Sequence, residues 1–127
     1  MELIIDGNRH LLKKVWFIVI ANQPYFGGGM NISPMSKLDD GSLNVIVVHD
    51  ITMLKLLTVF ITVLWGGHLN IKNVDSFSGE RIKMKNHGSV KIQSDGEIVG
   101  MGEVAAVVLK EKIRVMFKDD IPNKNMK

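Results

Sequence analysis

Cysteine is absent from the 127 residues, so neither a disulfide framework nor a thiolate metal site is available. That absence fits a reducing cytoplasm, the expected location. Aromatic residues make up only 6% and do not interleave with the basic ones, which removes the stacking platform a single-stranded nucleic acid would need. A block of one charge sign is also missing: the net charge is +3, with lysines and arginines scattered among acids, so nucleic acid is not an expected partner. There is no secretory hydrophobic region at the N-terminus. The longest apolar run, Met53 to Leu64, is broken by Lys55 and falls short of the roughly 20 residues that cross a bilayer. Arg81, Lys83, Lys85, His87 and Lys91 form a weak basic cluster, expected as the solvated face of two strands and only alternatively as a contact for anionic headgroups.

What is present suits one domain with a modest core, since 46% of the residues are hydrophobic. Its expected bounds are 1–118, followed by a frayed polar tail over 119–127. The chain is organised around Asn22 to Gly41, where Gly27-Gly28-Gly29 permits positive φ and close approach of a ligand or another backbone. Pro24 and Pro34 stiffen its two ends and push Gln23 and Ser33 away from helix. An apolar strand on each side makes this a shaped loop, the kind of place where function sits.

Glu2 to Asp6 reads as a short strand closed by an Asp6-Gly7-Asn8 turn. Its abrupt start gives the expectation of a chain cut from a longer one. Lys14 to Ala21 is rich in β-branched and aromatic residues without polar alternation, which predicts a central strand buried on both faces. Leu43 to His49 has the same character. Met53, Leu56, Leu57, Phe60, Ile61 and Leu64 recur at helical spacing, with Asp50 or Thr52 as cap and Gly66-Gly67 as stop, which predicts a helix over about 51–65. This helix is expected to pack in the core; an exposed strip would instead be a wall for a lipid or a partner segment. Arg81 to Lys85 and Val90 to Gln93 alternate and are expected to pair through a hairpin-like turn at 86–89. Val104 to Leu109 and Ile113 to Phe117 supply two further strands. The predicted fold class is mainly β: an antiparallel sandwich or half-open barrel of about seven to nine strands, with one apolar helix.

Two acidic turns could carry chemistry. Asp39-Asp40-Gly41 offers carboxylates and free carbonyls to a hard cation such as Mg²⁺ or Ca²⁺, against the plain reading of an Asx turn. Asp95-Gly96-Glu97 sets two carboxylates on one side of an extended backbone, against the plain reading of a two-residue hairpin turn. Taken alone, each motif is better explained as a turn. The triple glycine is not a phosphate cradle of the Walker type, because no Gly-Lys-Ser/Thr and no helix start follow it. His10, His49, His68 and His87 lack metal-ligand spacing and are expected at the surface or in turns. Ser33 and Ser36 lie in no nucleophile elbow.

In sequence order, Ala21-Asn22, Tyr25-Phe26-Gly27-Gly28-Gly29-Met30, Ser33-Pro34, Leu38-Asp39-Asp40-Gly41-Ser42-Leu43-Asn44-Val45, Gly66-Gly67-His68, Gln93 and Asp95-Gly96-Glu97 are more specific together than apart. This series resembles the second domain of the bacterial diacylglycerol kinase family, which includes sphingosine-kinase-like lipid kinases. The resemblance runs from about Leu3 to Phe117 and is strongest in the first half. It implies a structural Mg²⁺ held by the Asp40 side chain with backbone oxygens of Lys37 and Ser42. It also implies Glu97 as the residue accepting the proton of a lipid hydroxyl, supported by Asp95. Such an assignment suits phosphoryl transfer, which needs positioning, charge neutralisation and one oriented carboxylate.

The family's nucleotide-binding domain, with its own glycine-rich phosphate loop, has no counterpart in these residues, and Gly102 to Val107 departs from the expected proline-containing stretch. The resulting expectation is the lipid-binding and catalytic-base domain of an ATP-dependent, diacylglycerol-type lipid kinase, inactive as an isolated fragment. Its partners would be a diacylglycerol-like lipid, the missing nucleotide-binding domain with its ATP, a membrane surface touched peripherally, and a second copy through an exposed strand edge. The rival is a free-standing β-sandwich module that binds protein or lipid without catalysis.

Overall fold

The computed structural model describes residues 1–86, 88 and 90–109. In chain order the strands are β1 (Glu2–Ile5), β2 (Asn8–Leu11), β3 (Val15–Ala21), β4 (Tyr25–Phe26), β5 (Met30–Asn31) and β6 (Leu43–His49). Helix α1 (Met53–Thr62) follows, then two 3₁₀ turns (Val63–Trp65, Gly67–Asn70), β7 (Val74–Gly79), β8 (Arg81–Lys85), β9 (Lys91–Ser94), β10 (Glu97–Met101) and β11 (Val104–Val107).

Strand β6 holds the layers together. Its period-two alternation sends Val45 and Val47 to one face and Ile46 and Val48 to the other, all buried. On the first face they meet Leu3, Ile5 and Ile82 from a four-stranded antiparallel sheet, β11-β8-β1-β2. On the second face they meet Leu56, Val59 and Val63 of the helical segment. The result is a three-layer stack, with sheet β3-β6-β7 between the four-stranded sheet and α1. The predicted antiparallel sandwich with one helix is the observed architecture.

Eleven strands occur among the described residues, more than expected, because β2 is a polar return strand and the glycine loop contains two strands of two residues. Three further expectations are corrected. Among the described residues strand β3 is an edge of its sheet, not its centre, and its side chains are mostly half-buried. It reads as an inner strand because both of its faces pack: Phe17 and Val19 against the helix-side core, Ile18 and Ile20 against the sandwich core. Strand β8 does not form a hairpin with β9; it lies between β1 and β11, and β9 pairs with β10. Short alternating strands leave their partners unspecified when two different turns can close them. Finally, the helix presents a different face to the sheet. Leu56, Val59 and Val63 are buried, whereas Met53, Leu57, Phe60, Ile61 and Leu64 are exposed. The expected strand at 113–117 and the tail at 119–127 lie outside the described residues.

Two Asp-Gly turns share one geometry. Asp6-Gly7 joins β1 to β2 with φ of 48° and 88°, and Asp95-Gly96 joins β9 to β10 with φ of 46° and 97°. Both are two-residue turns with positive φ at each central position, the shape that Asp-Gly favours. Asp6 also accepts the backbone N–H groups of Glu80 and Arg81 (2.8 Å to the latter), tying the β1–β2 turn to the β7–β8 turn.

Candidate functional site

The glycine loop folds into a small hairpin. Tyr25 pairs with Asn31 and Phe26 with Met30, leaving Gly27, Gly28 and Gly29 at the tip with φ of 54°, 84° and 119°. Only glycine adopts three successive left-handed conformations without strain. The base of the hairpin is closed by Ser33 N–H donating to the Pro24 carbonyl at 3.0 Å. Beneath it, the buried Ser36 hydroxyl donates to the Ser33 hydroxyl at 2.7 Å.

His68 anchors this base from the far side. It is 1% exposed, and its Nε2 lies 2.9 Å from the Ile32 carbonyl. A carbonyl only accepts, so Nε2 carries the proton and Nδ1, buried without a partner among the described residues, is the bare nitrogen. Of the expected surface or turn placement, the turn is observed, since His68 lies in the 3₁₀ turn Gly67–Asn70, and the surface is corrected. Gly66 makes the approach possible: its φ is +76°, and a Cβ there would lie 2.6 Å from Pro34 Cγ. The Gly-Gly-His triplet after the helix was the available signal.

Burial lowers the His68 pKa, outweighing the opposing effect of the Ile32 hydrogen bond. A folded-state value below the ordinary 6.5 means that the unfolded chain binds the proton more readily. The stability His68 contributes is therefore complete above about pH 6.5 and declines as pH falls toward the folded-state value. Urea midpoints measured across this range are expected to drop more steeply for the native chain than for His68→Gln. Parallel slopes would show that His68 is not buried neutral.

Across from the glycine tip lies the β9–β10 turn. Together they line an open cavity of about 510 Å³ formed by Gln23, Tyr25, Phe26, Gly27, Gly28, Gly29, Gln93, Asp95 and Gly96. Asp95 is the one expected site residue on its wall. Glu97 is exposed and follows immediately as the first residue of β10, opposite Ser94. Among the described residues neither carboxylate has a hydrogen bond or ion pair, in contrast to Asp6 in the equivalent turn. Free carboxylates beside a wall of exposed glycine backbone can accept protons or hydrogen bonds from a hydroxylated ligand.

Asp40 is elsewhere. It does not line this cavity, and its Oδ1 accepts both the backbone N–H and the hydroxyl of Ser42, each at 2.9 Å. This is the Asx turn of the plain reading. Those two hydrogen bonds, with a smaller contribution from the Lys37 charge, hold the Asp40 carboxyl below the usual carboxylate range. The donor set fits Mg²⁺ in kind, an ionised carboxylate with neighbouring backbone oxygens, while the nearby ammonium of Lys37 opposes a cation. Among the described residues no group of three His, Cys, Asp or Glu side chains could hold a metal, so carbonyls and water would complete the shell.

Among the described residues no helix is long and apolar enough to cross a membrane. Residues 1–117 match the family model of the YegS C-terminal NAD kinase beta sandwich-like domain. The chain is 28% identical over 86 residues to YtlR, a candidate lipid kinase of Bacillus subtilis (strain 168), covering 68% of this chain and 28% of that protein. It is 33% identical over 90 residues to sphingoid long-chain bases kinase 1 of Arabidopsis thaliana, covering 67% of this chain and 12% of that one. A diacylglycerol kinase of Mycobacterium tuberculosis (strain ATCC 25618 / H37Rv) is 24% identical over 96 residues, covering 76% and 31% respectively. The fold matches the crystal structure of a candidate diacylglycerol kinase from Bacillus anthracis str. Sterne with a TM-score of 0.64 at 19% identity, over 84% of this chain and 37% of that one. The chain spans less than a third of the length of these curated relatives.

Proposed function

The chain belongs to the family of YegS C-terminal, NAD kinase beta sandwich-like domains, and from that premise we propose that it is the acceptor-side domain of a lipid kinase. In this reading it presents the hydroxyl of a diacylglycerol-like lipid to a phosphoryl donor, ATP, held by a separate nucleotide-binding domain. Glu97 accepts the hydroxyl proton and Asp95 keeps the carboxylate pair oriented. The observation that carries the reading is the shared cavity, in which the Asp95-Gly96 turn faces the triple-glycine tip with its carboxylate unengaged among the described residues. Glycine backbone lets a headgroup come close, and positioning the hydroxyl is most of what the transfer requires of this domain.

Asp40, with carbonyls of Lys37 and Ser42, is the proposed site of a structural Mg²⁺, and it is not among the residues that line the cavity. When bound it neutralises charge and fixes the loop leading into β6. Binding to the folded state raises apparent stability by mass action. The native chain is therefore expected to melt at a higher temperature in Mg²⁺, and Asp40→Ala to lose that increment. Equal melting curves with and without Mg²⁺ would remove the ion from the account.

Without its nucleotide-binding partner the chain would be inactive, and its location would be cytoplasmic and peripheral to a membrane. Self-association through the edge of β3, an apolar strand paired on one side only among the described residues, belongs to the same proposal.

A further inference from the structure

Helix α1 is apolar on both sides. Its inner stripe, Leu56 and Val59, is consumed by the core, yet Leu57, Phe60 and Ile61, with Leu64 of the following 3₁₀ turn, stand at 52–61% exposure beside that stripe. Soluble surfaces rarely leave so continuous an apolar strip bare. Its surroundings say what would cover it. Both tryptophans of the chain flank it and both are exposed, Trp16 at 47% and Trp65 at 62%. Trp16 is the extra residue of a bulge in β3, and its indole N–H donates to the Ile51 carbonyl at 3.0 Å, fixing the ring beside the start of α1. Trp65 closes the 3₁₀ turn at the other end. Paired tryptophans at the ends of an apolar face match the headgroup level of a bilayer, where an apolar ring with one polar N–H is best accommodated.

Charge points the same way. From Ile51 to Val74 there is no carboxylate, and of the two lysines there Lys55 projects away from this face, about 160° around the helix from Leu57. An anionic lipid surface penalises each carboxylate near it, and this segment brings none. The face is also continuous with the proposed site, because Gly66, next to Trp65, packs against Pro34 at the base of the glycine hairpin.

We propose that the outer face of α1, between Trp16 and Trp65, is the surface by which this chain docks on an anionic lipid bilayer, lying in the interface without spanning it. The proposal deepens the lipid-kinase reading by naming the membrane-facing side, and it rests on that reading only for its purpose.

The test is vesicle co-sedimentation of the 127-residue chain without ATP or acceptor lipid, so that it fails or succeeds independently of catalysis. Mixed phosphatidylglycerol–phosphatidylcholine vesicles are expected to bind the chain more tightly than phosphatidylcholine alone, with a blue shift of tryptophan emission and weakening by salt. The double variant Leu57→Glu/Ile61→Glu, whose changes are at exposed positions, is expected to unfold at the same urea midpoint and to bind at least about ten-fold more weakly. Lys83→Gln/Lys85→Gln, which removes the same two units of charge on the exposed side of β8, is expected to weaken binding far less. Absence of binding by the folded native chain would overturn the proposal. So would loss of binding in the β8 variant with retention in the α1 variant. A native dimer that α1 substitution converts to monomer, with no vesicle binding by either form, would show instead that a second copy covers this face.

Discussion

Glu97→Gln, made at the corresponding position of an intact kinase carrying this domain, is expected to lower lipid phosphorylation by about 10²–10⁴-fold, the usual contribution of a positioned general base. Glutamine keeps the size and hydrogen-bonding shape of the side chain but cannot take the proton, so binding of the lipid should change little. The loss belongs in kcat, with KM nearly constant. Glu97 is exposed at the start of β10 and supports no hydrogen bond among the described residues, so folding should be unaffected. The expected readout is an unchanged urea midpoint alongside the lost turnover. Activity like that of the native enzyme would remove Glu97 from the chemistry and leave the Asp-Gly-Glu segment as a hairpin turn only.

The second large effect separates two adjacent leucines. Leu56→Ala is expected to destabilise the chain by about 2–5 kcal/mol, because its side chain is 7% exposed between Ile46, Val48 and Val59 and its removal leaves a cavity. Leu57→Ala, at 57% exposure, is expected to change stability by about 0.5 kcal/mol or less. Urea unfolding of the two variants makes the comparison, since alanine suits the helix at both positions. Equal destabilisation would mean that α1 is buried on both sides, which would also remove the proposed membrane face.

That pair of residues shows where reading the sequence succeeds and where it stops. The helix, its Thr52 cap and its glycine stop are local features, and Thr52 Oγ1 does accept the Lys55 N–H at 3.4 Å. Which side of so apolar a helix faces inward is not local. Leu56, Leu57, Phe60 and Ile61 all satisfy the spacing, and the choice is made by Ile46 and Val48 on a strand some ten residues away in sequence. Strand β6 was legible on both counts, since an unbroken apolar run demands two covered faces. The neighbouring run in β3 carries the same composition but sits at an edge among the described residues, because a strand's neighbours are not encoded in its own residues.

At the candidate site, the Asp95-Gly96 turn and the glycine tip were each legible, but their meeting across one cavity depends on the packing of three sheets. His68 was missed because a lone histidine after two glycines carries no period. Its role exists only through the Ile32 carbonyl, thirty-six residues earlier. Asp40 stands apart from the cavity, so the two acidic turns do not form a single wall.

The most direct test of the shared cavity follows the backbone amides of the chain by nuclear magnetic resonance during titration with a short-chain diacylglycerol in micelles, with empty micelles as reference. Gly27, Gly28, Gly29, Asp95 and Gly96 are expected to shift together with one apparent affinity, while Ser42 beside Asp40 stays in place. Shifts confined to either the glycine hairpin or the acidic turn, or none at all in the folded chain, would contradict the account.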